Sequence, residues 1–360
     1  MQASSEQSRV GILALRHPSS GPCIVGGHRG NGMNLLDVNG LLRPLQRENT
    51  LRSFQEAASM GAAFVEFDVQ VTSDGVAVLW HDDEVAFGED AALPTSKPVS
   101  ALSLKDMNSL VTRPSSHTDA LSPAAHINPD TPPTAESTPT DTTQTSLLRR
   151  FYNVASGSHL PEPSYRRWLC ADDDVIPTLA QVLRLLPPGI GVNIEVKLTN
   201  PLPGEPFLTP AAEIDRLLLP ILSDVQQSAS TCGGSSLPRP VMFSSFDPDV
   251  CAALRARQAR HPVCFLSGCG LYPHQDERRT SVLAALRFAA QVGCAGVVVP
   301  APVALSHAGL VSQAAELGLQ VASYGLENSV AENVRRQISL GLLAVISDDV
   351  AVAVATASVA

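Results

Sequence analysis

Acidic and basic side chains alternate with apolar ones in two segments that have the pattern of buried strands. Glu66 and Asp68 are two residues apart in the first, so they share one face of a strand. The same rule places Asn193, Glu195 and Lys197 on one face of the second. Three carboxylates at core strand ends repel each other and are costly to desolvate unless a divalent cation binds them, and oxygen ligands favour Mg²⁺ or Ca²⁺. The alternative is that each acid lies at a solvated strand end.

Two histidines each follow an apolar run with the composition of a strand. His28 follows the run 23–26, and His81 follows the run 76–80. Because imidazole titrates near neutrality, this pair can supply a general base and a general acid for one reaction. The alternative is that each histidine is structural.

Arg29 and Glu48 are further candidates for functional side chains. Arg29 lies between glycines, and its planar guanidinium suits the oxygens of a phosphate that approaches the backbone. The alternative for Arg29 is a surface salt bridge. Glu48 precedes the first predicted helix, where an acid also interacts favourably with the helix dipole without any functional role.

Apolar segments with the pattern of strands recur along the chain, and helical periodicity separates most of them. This alternation predicts parallel βα units. Between the second and third segments there is room only for a tight turn, so these two strands should form an antiparallel hairpin. The predicted strands are 23–26, 63–69, 76–80, 191–196, 241–245, 263–267, 296–299, 320–324 and 343–347.

Without the hairpin strand, eight predicted parallel strands remain, and eight is the number that closes a (β/α)8 barrel. The predicted fold class is therefore α/β, a (β/α)8 TIM-type barrel with an antiparallel hairpin after the second strand and a long disordered insertion. A doubly wound open sheet is the alternative. Active sites of such barrels lie at the C-terminal ends of the strands. His28 and His81 follow strands and are predicted to lie there.

The predicted domain organisation is one barrel domain with two tails. Residues 22–350 form the barrel, residues 1–21 an N-terminal tail and residues 351–360 a C-terminal tail. Residues 112–146 are rich in Ser, Thr, Pro and Asp with almost no apolar periodicity, which predicts a disordered low-complexity insertion within the domain.

Charge and cysteine content restrict the partners and the compartment. A net charge of -10 and a pI near 5.3 repel polyanions, so no nucleic-acid partner is expected, and an anionic substrate needs local cations. The 7 scattered cysteines are typical of free thiols in a reducing compartment. No apolar run has the length of a transmembrane segment. These features predict an intracellular, cytoplasmic protein, with organelle import left open.

The candidate residues occur within an ordered set of motifs that resembles the glycerophosphodiester phosphodiesterase family, most closely its plant and related eukaryotic branch. The resemblance runs from about Cys23 to Asp349, apart from the low-complexity insertion. The motifs are Gly27-His28-Arg29-Gly30, Glu48-Asn49-Thr50, Glu66-Phe67-Asp68-Val69, Thr72-Ser73-Asp74-Gly75, His81-Asp82, Pro177-Thr178-Leu179, Asn193-Ile194-Glu195-Val196-Lys197 and Ser244-Ser245-Phe246.

The resemblance implies roles for these side chains. Glu66, Asp68 and Glu195 would hold the divalent cation, His28 and His81 would form the acid/base pair, and Arg29 and Lys197 would bind phosphate, with Glu48 at the same site. Bacterial relatives carry Trp-Thr-x-Asn in the penultimate barrel strand, where this chain has Ser323-Tyr324-Gly325-Leu326-Glu327-Asn328. Phe246 and Tyr324 are therefore predicted either to pack on the glycerol of the substrate or to pack in the core.

The resemblance also implies the reaction. It is the hydrolysis of glycerophosphodiesters, such as glycerophosphocholine and glycerophosphoethanolamine, to sn-glycerol 3-phosphate and an alcohol. The resemblance implies that the substrate's own glycerol hydroxyl attacks phosphorus and releases the alcohol, and that water then opens the resulting cyclic phosphate. Two alternatives remain: lysophospholipase D action on lysophospholipids, and a non-catalytic barrel that senses a phosphate or metabolite. Plant relatives in plastids make the plastid a second candidate location. The sequence leaves open the preferred alcohol, the metal and the oligomeric state.

Overall fold

The structure is a computed structural model that describes residues 12–15, 23–36, 42–43, 46–89, 93–110, 146–153, 163–166, 175–198, 209–231 and 239–359. The predicted insertion at 112–146 lies outside the described residues apart from Ser146, as does most of the predicted N-terminal tail. Five cysteines are described, and all five are free thiols.

Two β-sheets organise the described chain. The strands are β1 (Ile24–Gly27), β2 (Leu35–Leu36), β3 (Leu42–Arg43), β4 (Phe64–Val71), β5 (Ala77–Leu79), β6 (Glu84–Gly88), β7 (Thr95–Pro98), β8 (Ser146–Asn153), β9 (Pro163–Arg166), β10 (Gly191–Val196), β11 (Val241–Ser245), β12 (Val263–Leu266), β13 (Gly296–Pro300), β14 (Gln320–Tyr324) and β15 (Ala344–Ser347).

The first sheet is a closed barrel of eight parallel strands, which confirms the predicted fold class. Its order is β1-β15-β14-β13-β12-β11-β10-β4, and β1 pairs with β4 to close the ring. At the closure, Ile24 lies beside Ala344 and Gly26 beside Phe64. The ninth strand, β5, pairs antiparallel with β4 as the predicted hairpin. Every strand of the predicted series is therefore present.

Helices alternate with the barrel strands. Side chains that precede them accept backbone N–H groups at their starts; Thr50 does so for the first helix and Asp247 for the helix that begins at Pro248. None of the described helices combines the length and the apolar character needed to cross a bilayer. The helices are α1 (Leu51–Ser59), α2 (Leu104–Ser109), α3 (Leu179–Leu185), α4 (Ala211–Thr231), α5 (Pro248–Arg257), α6 (Val282–Val292), α7 (Ala301–Ser306), α8 (Leu310–Glu316), α9 (Ala331–Ser339) and α10 (Val350–Ala357).

Apolar side chains fill the interior of the barrel at the end opposite to the candidate site residues. Phe64 and Met242 belong to this cluster, and Gly26 makes room for it, because a Cβ at Gly26 would lie 2.2 Å from the Phe64 ring. A 3-10 turn at Ile12–Leu15 completes the cluster from outside the strands. The predicted N-terminal tail therefore contains a structural element, since Ile12 and Leu15 are buried against the barrel.

We expect Leu15→Ala to lower the free energy of unfolding by about 2–5 kcal/mol, because it leaves a cavity at a well-packed site. Leu15 is only 1% exposed. Urea unfolding would measure the change, with Leu317→Ala, at a half-exposed leucine of the α8–β14 turn, as the control. Equal stability of the two variants would contradict the packing of the 3-10 turn in the barrel.

The C-terminal boundary of the domain differs from the prediction. Helix α10 continues to Ala357, and its buried residues Ala353 and Ala357 pack with Val25 of β1 and Val345 of β15. Residues 351–357 are thus part of the barrel's outer layer rather than a tail, because their apolar face covers the strands at which the barrel closes.

The second sheet was not predicted from the sequence. Its order is β3-β2-β8-β6-β7, with β9 also paired to β8. Strand β8 is central: it pairs antiparallel with β6 and β9 and parallel with β2. Strands β2 and β3 come from the loop between β1 and α1, and β6 directly follows the hairpin. The second sheet therefore lies at the C-terminal end of the barrel strands, beside the candidate site.

Candidate active site

The three predicted metal ligands meet at the ends of β4 and β10. Asp68 and Glu195 are register neighbours on these strands, and Glu66 is two residues earlier on β4. One carboxylate oxygen of each lies within 4.8 Å of the others, and the three residues are 3%, 1% and 8% exposed in the order Glu66, Asp68, Glu195. The period-two pattern thus converges as expected, at a buried position rather than at solvated strand ends.

The chemistry of this acidic cluster fits a divalent cation. Oε1 of Glu66 is buried and has no hydrogen-bond partner among the described residues. Burial and then repulsion by Asp68 raise the pKa of Glu66 to about 8. An unpartnered oxygen in a set of three buried carboxylates is the donor arrangement that a hard cation satisfies. The cluster is therefore able to hold Mg²⁺ or Ca²⁺.

Lys197 and Arg29 border the acidic cluster. Lys197 Nζ lies 3.1 Å from Glu195 Oε1 and 3.6 Å from Asp68 Oδ1. Burial alone would lower the pKa of Lys197, but the attraction of Glu195 and Asp68 outweighs it and raises the pKa. Arg29 Nε lies 3.4 Å from Asp68 Oδ2. Lys197 therefore stays charged, and two cationic side chains border the acidic cluster.

Arg29 is held in an unusual backbone conformation. Its φ is 49°, in the left-handed region that costs a non-glycine residue about 1–3 kcal/mol and is concentrated at functional sites. Its backbone N–H donates to Glu66 Oε2 at 3.0 Å, and its Nη1 donates to Glu48 Oε1 at 3.0 Å. Glu48 also accepts the backbone N–H of Asn34 at 2.6 Å. Arg29 is therefore not a surface salt bridge, and Glu48 orients it.

His28 pairs with a carboxylate that sequence reasoning missed. Its Nδ1 lies 2.7 Å from Oδ1 of Asp348, which also accepts the backbone N–H of Met33. Burial lowers the pKa of His28, but the charge and hydrogen bond of Asp348 outweigh it and raise the pKa to about 9. The sequence feature that could have indicated a functional role for Asp348 is its position directly after the last predicted barrel strand.

His81 has the opposite electrostatic surroundings. Its Nδ1 lies 2.8 Å from Oδ1 of Asp82. Burial, followed by the positive charges of Arg29 and Lys197, lowers the pKa of His81 well below its usual value. Burial also raises the pKa of Asp82 to about 6. Gln70 donates to the carbonyl of Asp82 and fixes the backbone after the hairpin.

A cavity of about 330 Å³ opens beside His81 and Lys197. Phe246 and Tyr324 form one wall, with ring centroids 5.8 Å apart and an edge-to-face angle of 85°. Both rings are half-buried and line the cavity. Sequence reasoning missed the wall contributed by the segment after β12, because it has no strand or helix pattern; its lining residues are Gly268, Tyr272, His274 and Arg279.

The sequence model of the glycerophosphoryl diester phosphodiesterase family matches residues 28–352. The chain belongs to this family. The matched range begins at His28 and ends after Asp348, so it contains every residue of the candidate active site and both members of each histidine–carboxylate pair.

Characterised family members and solved structures cover most of the chain. A chloroplastic glycerophosphodiester phosphodiesterase of Arabidopsis thaliana is 30% identical over 94% of this chain and 81% of its own length. A glycerophosphocholine phosphodiesterase of Schizosaccharomyces pombe is 33% identical over 92% of this chain, which corresponds to 28% of that longer protein.

Among solved structures, a glycerophosphodiester phosphodiesterase from Parabacteroides distasonis has a TM-score of 0.55 at 17% identity, with 91% of this chain and 94% of that chain covered. An Oleispira antarctica phosphodiesterase in complex with the product sn-glycerol-3-phosphate has a TM-score of 0.54 at 16% identity, with 92% and 96% covered. At these identities the likeness supports the barrel fold alone. Family membership makes the protein a phosphodiesterase that hydrolyses glycerophosphodiesters.

Proposed function

We propose that this family member catalyses metal-dependent hydrolysis of small glycerophosphodiesters, such as glycerophosphocholine and glycerophosphoethanolamine, to sn-glycerol 3-phosphate and an alcohol. The observation that carries the proposal is the buried cluster of Glu66, Asp68 and Glu195, with two cations beside it and two histidines in opposite electrostatic surroundings. A site with this composition can bind a phosphodiester, neutralise its charge and move protons on both sides of it.

In this proposal Glu66, Asp68 and Glu195 hold a divalent cation, Mg²⁺ or Ca²⁺, which supplies Lewis-acid stabilisation of the phosphoryl oxygens when bound. Arg29 and Lys197 bind the same oxygens. Arg29 offers a planar pair of donors that Glu48 has already oriented, and Lys197 adds a point charge. These groups offset the net negative charge of the chain at the place where an anionic substrate binds.

His81 is the general base and His28 the general acid in this proposal. The surroundings of the two imidazoles move their pKa values apart, which is the arrangement that separates these roles near neutral pH. Each Nδ1 faces a carboxylate, Asp82 or Asp348, so each Nε2 is the atom left to exchange a proton with substrate. Neutral His81 accepts the proton of the attacking glycerol hydroxyl, and protonated His28 donates to the leaving alkoxide, which leaves a cyclic phosphate. Water then opens the cyclic phosphate with the two roles reversed, so that both histidines return to their starting protonation states.

Phe246 and Tyr324 form the substrate wall of the cavity in this proposal, packing against the carbon atoms of glycerol. The volume of about 330 Å³ suits a small polar diester. The lining of the cavity, which is mostly charged and polar side chains, favours deacylated substrates over lysophospholipids, the substrates of the lysophospholipase D alternative. The similarity to the fission-yeast protein, which is named for glycerophosphocholine, makes that diester the first substrate to test.

The test is to incubate the purified full-length protein with each glycerophosphodiester and added Mg²⁺ or Ca²⁺. Release of sn-glycerol 3-phosphate is followed with a glycerol-3-phosphate dehydrogenase. We expect release from glycerophosphocholine or glycerophosphoethanolamine and little release of lysophosphatidic acid from lysophosphatidylcholine. Failure with every glycerophosphodiester would refute the proposal. Binding of a diester without turnover, unchanged by His28→Ala, would support the sensor alternative instead.

Residence in the cytoplasm, with the plastid as the alternative, stays a prediction. The similarity to a chloroplastic relative supports the plastid alternative. Fractionation of cells that express the untagged chain would decide between the two compartments.

A further inference from the structure

Strand β8 brings an arginine from the second sheet to the histidine–aspartate pair at the end of the hairpin. Arg150 Nη2 lies 2.5 Å from Asp82 Oδ1 and 3.3 Å from His81 Nδ1. The same oxygen of Asp82 lies 2.8 Å from His81 Nδ1. Three groups thus share one contact region, although Arg150 belongs to neither the barrel nor the set of residues that family resemblance indicates.

The position of Arg150 is fixed from several sides. Strand β8 pairs with β6 through Leu148 and with β9 through Arg149. The neighbouring Arg149 places its guanidinium 4.5 Å from the centre of the Trp80 ring, which anchors β8 on the residue before His81. The backbone carbonyl of Arg150 accepts a hydrogen bond from the Asn34 side chain. The arginine is therefore delivered by a paired strand rather than by a free loop.

The donor chemistry of these contacts assigns different roles to the three groups. A guanidinium can only donate, whereas an ionised carboxylate can only accept. With Nδ1 protonated, Asp82 Oδ1 accepts from both Arg150 and His81 Nδ1–H, and Nε2 of His81 is left as the proton acceptor. The 3.3 Å approach of Arg150 Nη2 to Nδ1 is then a close contact of two donors on one oxygen and not a hydrogen bond. If Arg150 were removed, Asp82 would be a half-buried carboxylate without its nearest counter-ion, which would disfavour its ionised form.

We propose that Arg150 is a positioning residue that keeps Asp82 ionised and thereby holds His81 with Nε2 free to accept a proton. This inference rests on the proposed role of His81 as the general base. It means that the second sheet completes the catalytic machinery of the barrel rather than only covering it.

The electrostatics of the pair agree with this geometry. Burial is the largest contribution that lowers the pKa of His81, followed by nearby positive charges, of which Arg150 is one. Burial raises the pKa of Asp82, and the positive charge of Arg150 opposes this rise. The charged groups that act on His81 or Asp82 are Arg29 and His28 after β1, Glu48 before α1, Lys197 after β10 and Arg150 on β8.

The kinetic test compares Arg150→Met and Arg150→Lys with Arg166→Met. Arg166 is an exposed arginine of the same sheet, on β9 beside Arg149, so it is the matched control. We expect Arg150→Met to lower kcat about 10- to 100-fold with KM nearly unchanged, because it disturbs the orientation of a general base. Arg150→Lys should recover part of the loss, and Arg166→Met should match the wild type.

The pH profile gives the readout that a purely structural role would not change. Loss of a positive charge beside His81 should raise its pKa, so the acidic limb of kcat/KM in Arg150→Met should move to higher pH. An unmoved limb together with a large rise in KM would show that Arg150 binds substrate, and would overturn the proposal. Equal losses in Arg150→Met and Arg166→Met would also overturn it.

A spectroscopic measurement separates this inference from the proposed function. Long-range ¹H–¹⁵N spectra of ¹⁵N-histidine-labelled full-length protein report the tautomer and titration of His81, which His81→Gln assigns. We expect the Nδ1–H tautomer of His81 in the wild type. The titration midpoint of His81 should be higher in Arg150→Met than in the wild type, and Arg150→Lys should show a smaller rise. Identical spectra and midpoints in all three proteins would overturn the inference, even if the wild type hydrolysed no glycerophosphodiester.

Discussion

Glu66→Gln is expected to reduce kcat by about 10³-fold or more and to abolish the stabilisation of the protein by Mg²⁺ or Ca²⁺. The substitution retains the size of the side chain but removes one of the three charges proposed to hold the cation. A bound metal contributes several kcal/mol to transition-state stabilisation, and about 1.4 kcal/mol corresponds to a tenfold change in rate. Turnover with saturating metal and thermal unfolding with and without metal are the measurements.

Without metal, Glu66→Gln should not destabilise the protein, because the charge of Glu66 is then itself unfavourable in the folded state. In the folded chain the pKa of Glu66 is raised from 4.5 to about 8, so the folded state binds its proton more tightly than the unfolded state does. Stability should therefore fall as pH rises from about 4.5 to about 8, and this loss should be smaller in Glu66→Gln, which lacks the contribution of Glu66. At pH 8 without metal, the variant should unfold at a temperature no lower than that of the wild type.

Glu316→Gln is the control for both measurements, because Glu316 is exposed at the end of α8, outside the acidic cluster. It should retain activity and the response to metal. Retention of metal-dependent stabilisation by Glu66→Gln would contradict the assignment of the cluster as the cation site.

The second large effect concerns the two histidines. His81→Asn and His28→Asn are each expected to lower kcat by about 10²- to 10⁴-fold, the usual contribution of general acid or base catalysis. The pH dependence should distinguish them. Wild-type activity should fall at acidic pH as His81 is protonated, and again as pH rises through about 9 and His28 loses its proton.

The residual activity of His28→Asn should lack the basic limb, and that of His81→Asn should lack the acidic limb. His307→Asn is the control, since His307 lies in the turn between α7 and α8 and contacts Gln313. Loss of the acidic limb in His28→Asn would reverse the assignment of the acid and the base.

The part of the site that could be predicted from the sequence depends on local periodicity. Alternation within β4 and β10 is enough to place Glu66, Asp68 and Glu195 on the inner face of strands, because residues two apart must share a face. Parallel neighbours then bring the carboxylates together at one height, as the register of Asp68 and Glu195 confirms. To predict this cluster, only the adjacency of β4 and β10 must be known in addition to the local pattern.

The partners of the histidines could not be predicted in this way. Asp348 contacts His28 across 320 positions of sequence, and Arg150 contacts His81 across 69. No periodic pattern in the sequence predicts a contact between residues so far apart. Both depend on tertiary structure, namely the pairing of β1 with β15 and the position of β8 in the second sheet.

The second sheet was missed for a related reason. Strands β2 and β3 have 2 residues each, which is too short for an alternating pattern to be recognised. Strand β7 is exposed along its whole length and so lacks an apolar face. It pairs only with β6 among the described strands, and β6 is joined to the rest of the sheet by β8, which follows the low-complexity segment.

The pairing of β1 with β15 has a consequence for the growing chain on the ribosome. Synthesis proceeds from the N-terminus, so β4 and β10, which carry the acidic cluster, emerge while the last strand has not yet been made. Ile24 can pair with Ala344, and His28 with Asp348, only when the chain has emerged as far as Asp348. A chain that stops before β15 would therefore contain the three carboxylates without the oriented histidine proposed as the acid, so proton transfer waits for the last barrel strand.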